Sequence, residues 1–435
     1  MSSLSKTPAS RQRLVYDRFV YAATVLLVIA LLACTATRAE EPRPLSLKDA
    51  LRIASAQSSQ LSAQRYAISA VQQATVSARQ LPDPKAVFGV DNLPVTGADS
   101  LSLTRDFMTM RKIGVMQDFP RAVKRELKGK LAERIVDRET AMLVDVEAAL
   151  RRDVATAWVD RYFAEQMGRL VDEQMAEVGI QIDALKAGLK TGKTQPADFL
   201  TVQVNLQTLL DRRAEFDKQG ARAKAMLSRW LGDAAGWPQA QFSAAVMTLT
   251  QGSLSEHSAH HPHVQSLERQ IDVAQAEAYL AQAATKPDWS LELAYQQRGP
   301  NFSNMISLQV SIDLPLFQRN RQGRDIAAKL AQLAQARDIK EDAVRQHLAE
   351  AQAAWSDWET ATARLKRFDE SLLPLSRERT QATLATYRGG RGDITPVLQA
   401  RRDELDLKLQ TLQLSQDQGR AYAQLLYFLP PEVTQ

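Results

Sequence analysis

The sequence predicts a mostly α-helical chain that carries a small transmembrane β part, the whole built twice in tandem. Three observations carry this. Long stretches rich in Ala, Leu, Glu, Arg and Gln repeat apolar residues at three- and four-residue spacings, and Gly 18 and Pro 17 are few for 435 residues. Four short runs read as strands, two of them alternating apolar with polar, and a Pro-Asp pair precedes two of the four, in one case with a further proline between. Landmarks of the first half recur in the second. Pro82 in "LPDPKAVFGV" and Pro287 in "KPDWSLELAY" lie 205 residues apart. Pro120 in "IGVMQDFPRAVKRE" and Pro315 in "LQVSIDLPLFQRNR" lie 195 apart, and Gly192 in "TGKTQPADFL" and Gly390 in "GGRGDITPVL" lie 198 apart. Near-constant distances between three anchors indicate an internal duplication of about 200 residues.

The elements follow in order. Residues 1–39 read as a signal peptide: Arg11, Arg13 and Arg18 precede the apolar run "VYAATVLLVIALLA", too short for a convincing membrane span. It has two possible endings, cleavage after Ala39 or a lipobox-like "LLAC" in which Cys34 would become lipidated. As Cys34 is the only cysteine, an intramolecular disulfide and a Cys-based zinc site are excluded. The first repeat is expected over 45–231. A helix runs to Gln80, with Ser46 and Asp49 as a weak capping box, and Pro82 and Pro84 stop it. A strand pair spans about 86–119. Helix then runs from Arg121 to about Leu189, breaks at Gly192 and Pro196, and resumes. Residues 232–262, with Gly, Pro and Ser and no apolar stripe, form an inter-repeat linker. The second repeat, 263–430, repeats the order: helix, a stop at Pro287, a strand pair at about 289–314, helix interrupted near Pro374, a break at "RGGRGDIT", and a last helix. Helices of 50–70 residues would reach roughly 75–100 Å. Their mostly Ala stripes suit close helix approach.

The strands point to a membrane. Ile306, Leu308, Val310, Ile312 and Leu314 share one face of the last strand, and Ser307, Gln309, Ser311 and Asp313 the other. "WSLELAYQQ" alternates likewise. Aliphatics flanked by Trp and Tyr on one face, opposite Ser, Gln, Glu and Asp, fit a transmembrane strand. A half-buried soluble hairpin gives the same alternation. Four strands cannot close a barrel, and lipid does not tolerate open sheet edges, so closure calls for several copies.

Few other features carry chemistry. The 55 basic and 50 acidic residues give a net charge of +5 with both signs interspersed, a solvated helical surface and no nucleic-acid arm. Four of the five histidines, His257, His260, His261 and His263, cluster in "HSAHHPHV". Such a tract is a weak metal-binding candidate, because its spacing matches no standard zinc site. The alternative is a polar linker with Pro262 opening the next helix. There is no G-x-S-x-G, H-E-x-x-H or Walker-type loop. No enzyme activity and no cofactor are therefore expected.

The duplicated order, the "IDLPLFQRNRQG" segment after the fourth strand, and "YRGGRGDITPVLQAR" beside "LKTGKTQPADFL" resemble the TolC-type outer-membrane efflux ducts over residues 45–430. The wording "DLPLF…NRQG" and "HPHVQSLERQIDVAQAEAYLAQA" is most similar to the heavy-metal, cobalt–zinc–cadmium branch. The resemblance implies a homotrimer whose twelve strands form one β-barrel in the bacterial outer membrane, and whose helices form a long α-helical barrel in the periplasm. It implies a periplasmic adaptor (membrane fusion) protein and an inner-membrane pump of the RND class as partners. The duct would be passive and gated, and would carry heavy-metal cations. Drugs or other small molecules are the alternative cargo. A periplasmic coiled-coil adaptor or scaffold is the alternative outside the duct class. In the family the two helical tips carry adaptor contacts and the gate. Here these are residues 188–200 and 387–398, where Gly192 and Gly390 permit tight turns. Asp198 stands where the first tip of the family has an aspartate. Pro396 replaces it at the second tip, so Asp393 would substitute, with Arg388 and Arg391 as ion-pair partners for these carboxylates.

Overall fold

The computed structural model describes residues 44–192, 195–242, 258–392 and 394–428. The signal-peptide reading, Cys34, His257 and Asp393 all lie outside them. The chain begins with helices α1 (Leu47–Gln57) and α2 (Ser59–Ala78), where the periodicity predicts one helix to Gln80. The break is a second cap. Ser46 Oγ accepts the Asp49 N–H at 3.0 Å, and Ser58, with ψ 114°, leaves helical geometry while its Oγ accepts the Leu61 N–H at 3.3 Å. A hydroxyl that satisfies a new helix start competes with continuation of the old one.

Strands β1 (Lys85–Asp91) and β2 (Met110–Phe119) lead into α3 (Ala122–Lys190), 69 residues and about 100 Å at the usual rise. Helix α4 (Pro196–Leu231) returns along it and ends in a 3₁₀ turn at Gly232–Gly236. Helix α5 (Pro262–Ala283) opens with Pro262 at its first position, as expected. Strands β3 (Trp289–Gln297) and β4 (Met305–Ile312) lead into α6 (Gln322–Arg367). A π turn at Phe368–Leu372 joins α6 to α7 (Leu373–Arg388), and α8 (Ile394–Phe428) closes the chain. The interruption expected near Pro374 is this π turn. Proline removes one helical N–H and crowds the carbonyl four residues back, and a widened turn relieves both.

Helix α3 is the central pillar, packed by α4, α5, α8 and α2. Val154, Trp158, Val159, Phe163, Met167 and Val171 line its buried stripe, against Leu227 and Leu231 of α4 and Ala50 and Ala54 of α1. Trp158 Nε1 donates to the Leu45 carbonyl at 3.2 Å, and its ring stacks on Tyr162 with Phe242 beside it. Small residues set the helix spacing. A Cβ at Gly419 of α8 would sit 2.8 Å from Val159 Cγ1, so only glycine permits this approach.

The four strands form one antiparallel sheet in the order β1-β2-β3-β4, leaving β1 and β4 as edges. Val115 pairs with Ala86 and Leu293, and Leu293 with Leu308, so one face carries the apolar set across all four strands. Among the described residues no helix is long and apolar enough to cross a membrane.

Candidate functional site

The sheet has two chemically distinct faces. Phe88, Ile113, Val115, Leu293, Tyr295, Ile306, Leu308 and Val310 share the apolar one, and they are exposed, Phe88 at 74% and Ile306 at 76%. A soluble protein rarely leaves such a continuous apolar patch in water. The opposite face carries a lattice of charges. Lys85 Nζ lies 2.7 Å from Asp118 Oδ2, and Lys112 Nζ lies 3.0 Å from Glu292 Oε1. Gln296 Nε2 donates to Asp91 Oδ2 at 3.2 Å. The faces separate because side chains alternate along a strand and direct cross-strand partners point the same way. An apolar face outward and a hydrated, charged face inward is the arrangement of a strand that lines an aqueous pore in lipid.

At the base of the sheet the Pro287-Asp288 elbow does structural work for the other repeat. Asp288 Oδ1 accepts the Arg121 backbone N–H at 3.0 Å, at the start of α3, and Asp288 Oδ2 lies 2.7 Å from Lys124 Nζ. Lys124 also donates to the Lys286 carbonyl, and Arg121 Nε to the Pro287 carbonyl. Burial alone would raise the Asp288 carboxyl. The Lys124 ammonium and the Arg121 N–H outweigh it and hold the group below the ordinary aspartate range.

The two far turns are alike. Gly192 sits at φ 71° and Gly390 at φ 69°, the left-handed region that ends a helix. Gly192 N donates to the Leu189 carbonyl. At the second turn Gly390 N donates to Tyr387 and Arg391 N to Thr386, a Schellman closure. Asp198 lies in the first turn of α4. Among the described residues Arg388 and Arg391 form no ion pair with Asp198. The charges instead tie the two helical hairpins together above the tips. Arg401 Nη1 lies 2.6 Å from Glu177 Oε2 and Arg212 Nη1 lies 2.5 Å from Asp406 Oδ1. Each pair joins an α3–α4 residue to α8. These pairs escaped sequence reasoning, because charged positions dozens of residues apart carry no mutual signal.

The histidine tract is brought together with a residue the sequence leaves apart. His261, His263 and the remote His347 of α6 form one cluster, with ring centroids 4.6 Å apart for His261–His347 and 5.2 Å for His263–His347. His260 lies on the exposed side. His261 is 2% exposed, and both its nitrogens are engaged. Nδ1 accepts the His263 backbone N–H at 3.1 Å, capping α5, and Nε2 lies 2.8 Å from the Tyr427 carbonyl. That pair of partners fixes the neutral tautomer with its proton on Nε2. Burial, reinforced by neighbouring His347, pushes His261 down to about 4. His263 is raised instead by its 2.8 Å hydrogen bond to Asp145 Oδ2, and His347 is lowered by burial and by His263. Among the described residues no group of three His, Cys, Asp or Glu side chains fits a metal ion. The rings serve as packing and hydrogen-bonding groups between α3, α5, α6 and α8. His347 could have been suspected only as the one histidine outside the tract.

Residues 254–429 match the family described as Outer membrane efflux protein. No curated protein sequence matches the chain. Among solved structures, the chain is similar to a membrane protein from Pseudomonas aeruginosa, with TM-score 0.76 and 15% identity over 88% of this chain and 93% of that one. It is similar to the CmeC outer membrane channel of Campylobacter jejuni, with TM-score 0.75 and 11% identity over 88% and 85% of the two chains. The outer membrane protein VceC of Vibrio cholerae gives TM-score 0.71 and 16% identity over 88% and 94%. The likeness is one of fold, and it spans both repeats.

Proposed function

We propose that this chain is an outer membrane efflux protein, the subunit of a passive duct that leads from the periplasm to the exterior. The observation that carries the reading is the pairing of a two-faced sheet with a helical body about 100 Å long. The sheet exposes an aliphatic face suited to lipid and a charged face suited to water, and its two free edges require further copies. Three copies would supply a closed barrel of twelve strands, wide enough for an aqueous lumen. The helices would then continue the lumen through the periplasm, with the two glycine turns at the far end. There a periplasmic adaptor would dock and an RND-class pump would supply the energy.

The gate is assigned to the tip region, with Asp198 and Asp393 as its acidic residues and Arg388 and Arg391 as their basic counterparts. Heavy-metal cations are the cargo favoured by the "DLPLF…NRQG" wording, with drugs or other small molecules as the second class. The test is conductance of the purified protein in planar bilayers. Discrete channels are expected, and Asp198→Ala combined with Asp393→Ala should alter their conductance. Absence of channels from protein that forms no detergent-stable oligomer would overturn the duct. Unchanged conductance in the double variant would overturn the gate alone.

A further inference from the structure

The sheet contains one complete seam between repeats and half of another. Within a hairpin the duplication holds to the residue. Lys85 pairs with Met116, and moving these by 205 and 195 positions lands on Ser290 and Ser311, which pair with each other. The hairpins join at the β2–β3 seam, where the Asp288 carboxylate holds Lys124 and the Phe119 and Trp289 rings stack at 4.3 Å. The same two shifts applied to this seam give its sister, β4 against β1. In one chain those strands are the two open edges. The counterpart of Asp288 is Asp83, and that of Lys124 is Arg319. Charge type is kept at both positions, both residues are exposed, and neither forms an ion pair among the described residues. The counterpart of Phe119 is Leu314, 68% exposed, and it falls opposite Pro84.

In the closed barrel β1 of one copy meets β4 of the next, and we infer that this junction repeats the register of the internal seam, with Asp83 gripping the partner subunit's Arg319. The partner is the chain itself because its internal seam is the template. The register follows from the pairs Gln117–Leu291, Val115–Leu293 and Ile113–Tyr295. It sets Ala86 opposite Ile312, Phe88 opposite Val310, and Val90 opposite Leu308. All six residues lie on the apolar face, so the lipid-facing belt runs unbroken across the junction. A shift by one residue would turn one strand inside out. On the polar face Val87 falls opposite Ser311. The inference rests on the oligomeric duct reading and adds to it the residues that join the copies.

The experiment uses the full chain extracted in detergent. Val87→Cys with Ser311→Cys should form an inter-chain disulfide on mild oxidation, because directly opposed residues have Cβ atoms about 4.5–5.5 Å apart. Val87→Cys with Gln309→Cys, displaced by two residues, should cross-link far less. Asp83→Arg and Arg319→Asp should each weaken the SDS-resistant oligomer, and the two together should restore it. Equal or preferred cross-linking of the displaced pair overturns the register. Single charge reversals without effect overturn the Asp83–Arg319 contact. In both cases a wild-type oligomer leaves the duct standing. A wild-type chain that stays monomeric overturns duct and seam together.

Discussion

Protonating His261 removes an acceptor that the fold uses. Its Nδ1 caps α5, so an added proton there both charges a buried ring and breaks the cap. The groups facing the cluster are Asp145 and Arg152 from α3, His263 from α5, His347 and Glu350 from α6, and Tyr427 from α8. His261 titrates at about 4 folded against an ordinary 6.5, so its contribution is whole above pH 6.5 and is lost as pH falls toward 4. A shift of that size corresponds to about 3 kcal/mol. His347 acts in the same direction. His263, raised by Asp145, acts oppositely: its contribution is whole below pH 6.5 and fades as pH rises through its folded value. The thermal midpoint should therefore fall on both sides of a maximum near neutrality, with the acid limb the steeper. His261→Asn, which keeps an acceptor at the cap and does not titrate, should flatten that acid limb. A wild-type midpoint level from pH 7 to pH 4.5 would contradict this account. In the sequence the tract reads as a weak metal-binding candidate or a polar linker. The missing information was His347, which reaches them only when α6 packs on α5.

At the scale of the element, turn chemistry was legible and helix continuity only partly. The glycine pair at Gly192 and Gly390 stood out as matched breaks, and both occupy positive φ. Alanine at either position should cost about 1–2 kcal/mol locally, because a Cβ disfavours the left-handed region. The cost should appear as faster amide exchange of the last turn of α3 or α7, with the sheet unaffected. By contrast the break at Ser58 is not legible in the apolar spacing. The apolar spacing runs through it, and only the extended backbone reveals that the hydroxyl caps a new helix. Ser58→Ala should destabilise the protein by about 1 kcal/mol, measurable as a lowered denaturation midpoint. The strands were visible as short extended runs, and the structure joins them in one four-stranded antiparallel sheet.

Across the whole molecule, ion pairs bind the two helical hairpins above the tips. Arg401–Glu177 and Arg212–Asp406 join α8 to α3 and α4. Partly exposed pairs contribute little to stability one by one. They can still bias two arrangements of long helices that otherwise pack through small apolar groups. Replacing Arg212 and Arg401 by Gln should raise single-channel conductance in planar bilayers and leave oligomer stability in SDS unchanged. Conductance equal to wild type would show that these pairs bias no such arrangement. The sheet offers a second whole-molecule test. Leu308→Arg places a charge on the lipid face and should cost about 2–4 kcal/mol near the bilayer midplane. Ser307→Arg, on the polar face, should leave assembly intact.

The sequence by itself determined the helical class, the duplication, the two-faced strands and the matched glycine breaks. Each depends on periodicity or on local backbone preference, and both are written into neighbouring residues. Only the tertiary structure decided that Asp288 of the second repeat holds Lys124 of the first, that His347 joins the histidine tract, and that Arg401 meets Glu177. These contacts link residues far apart in the chain, and their existence depends on how long helices pack side by side. The position of a side chain along one helix does not reveal which residue of another helix lies opposite it.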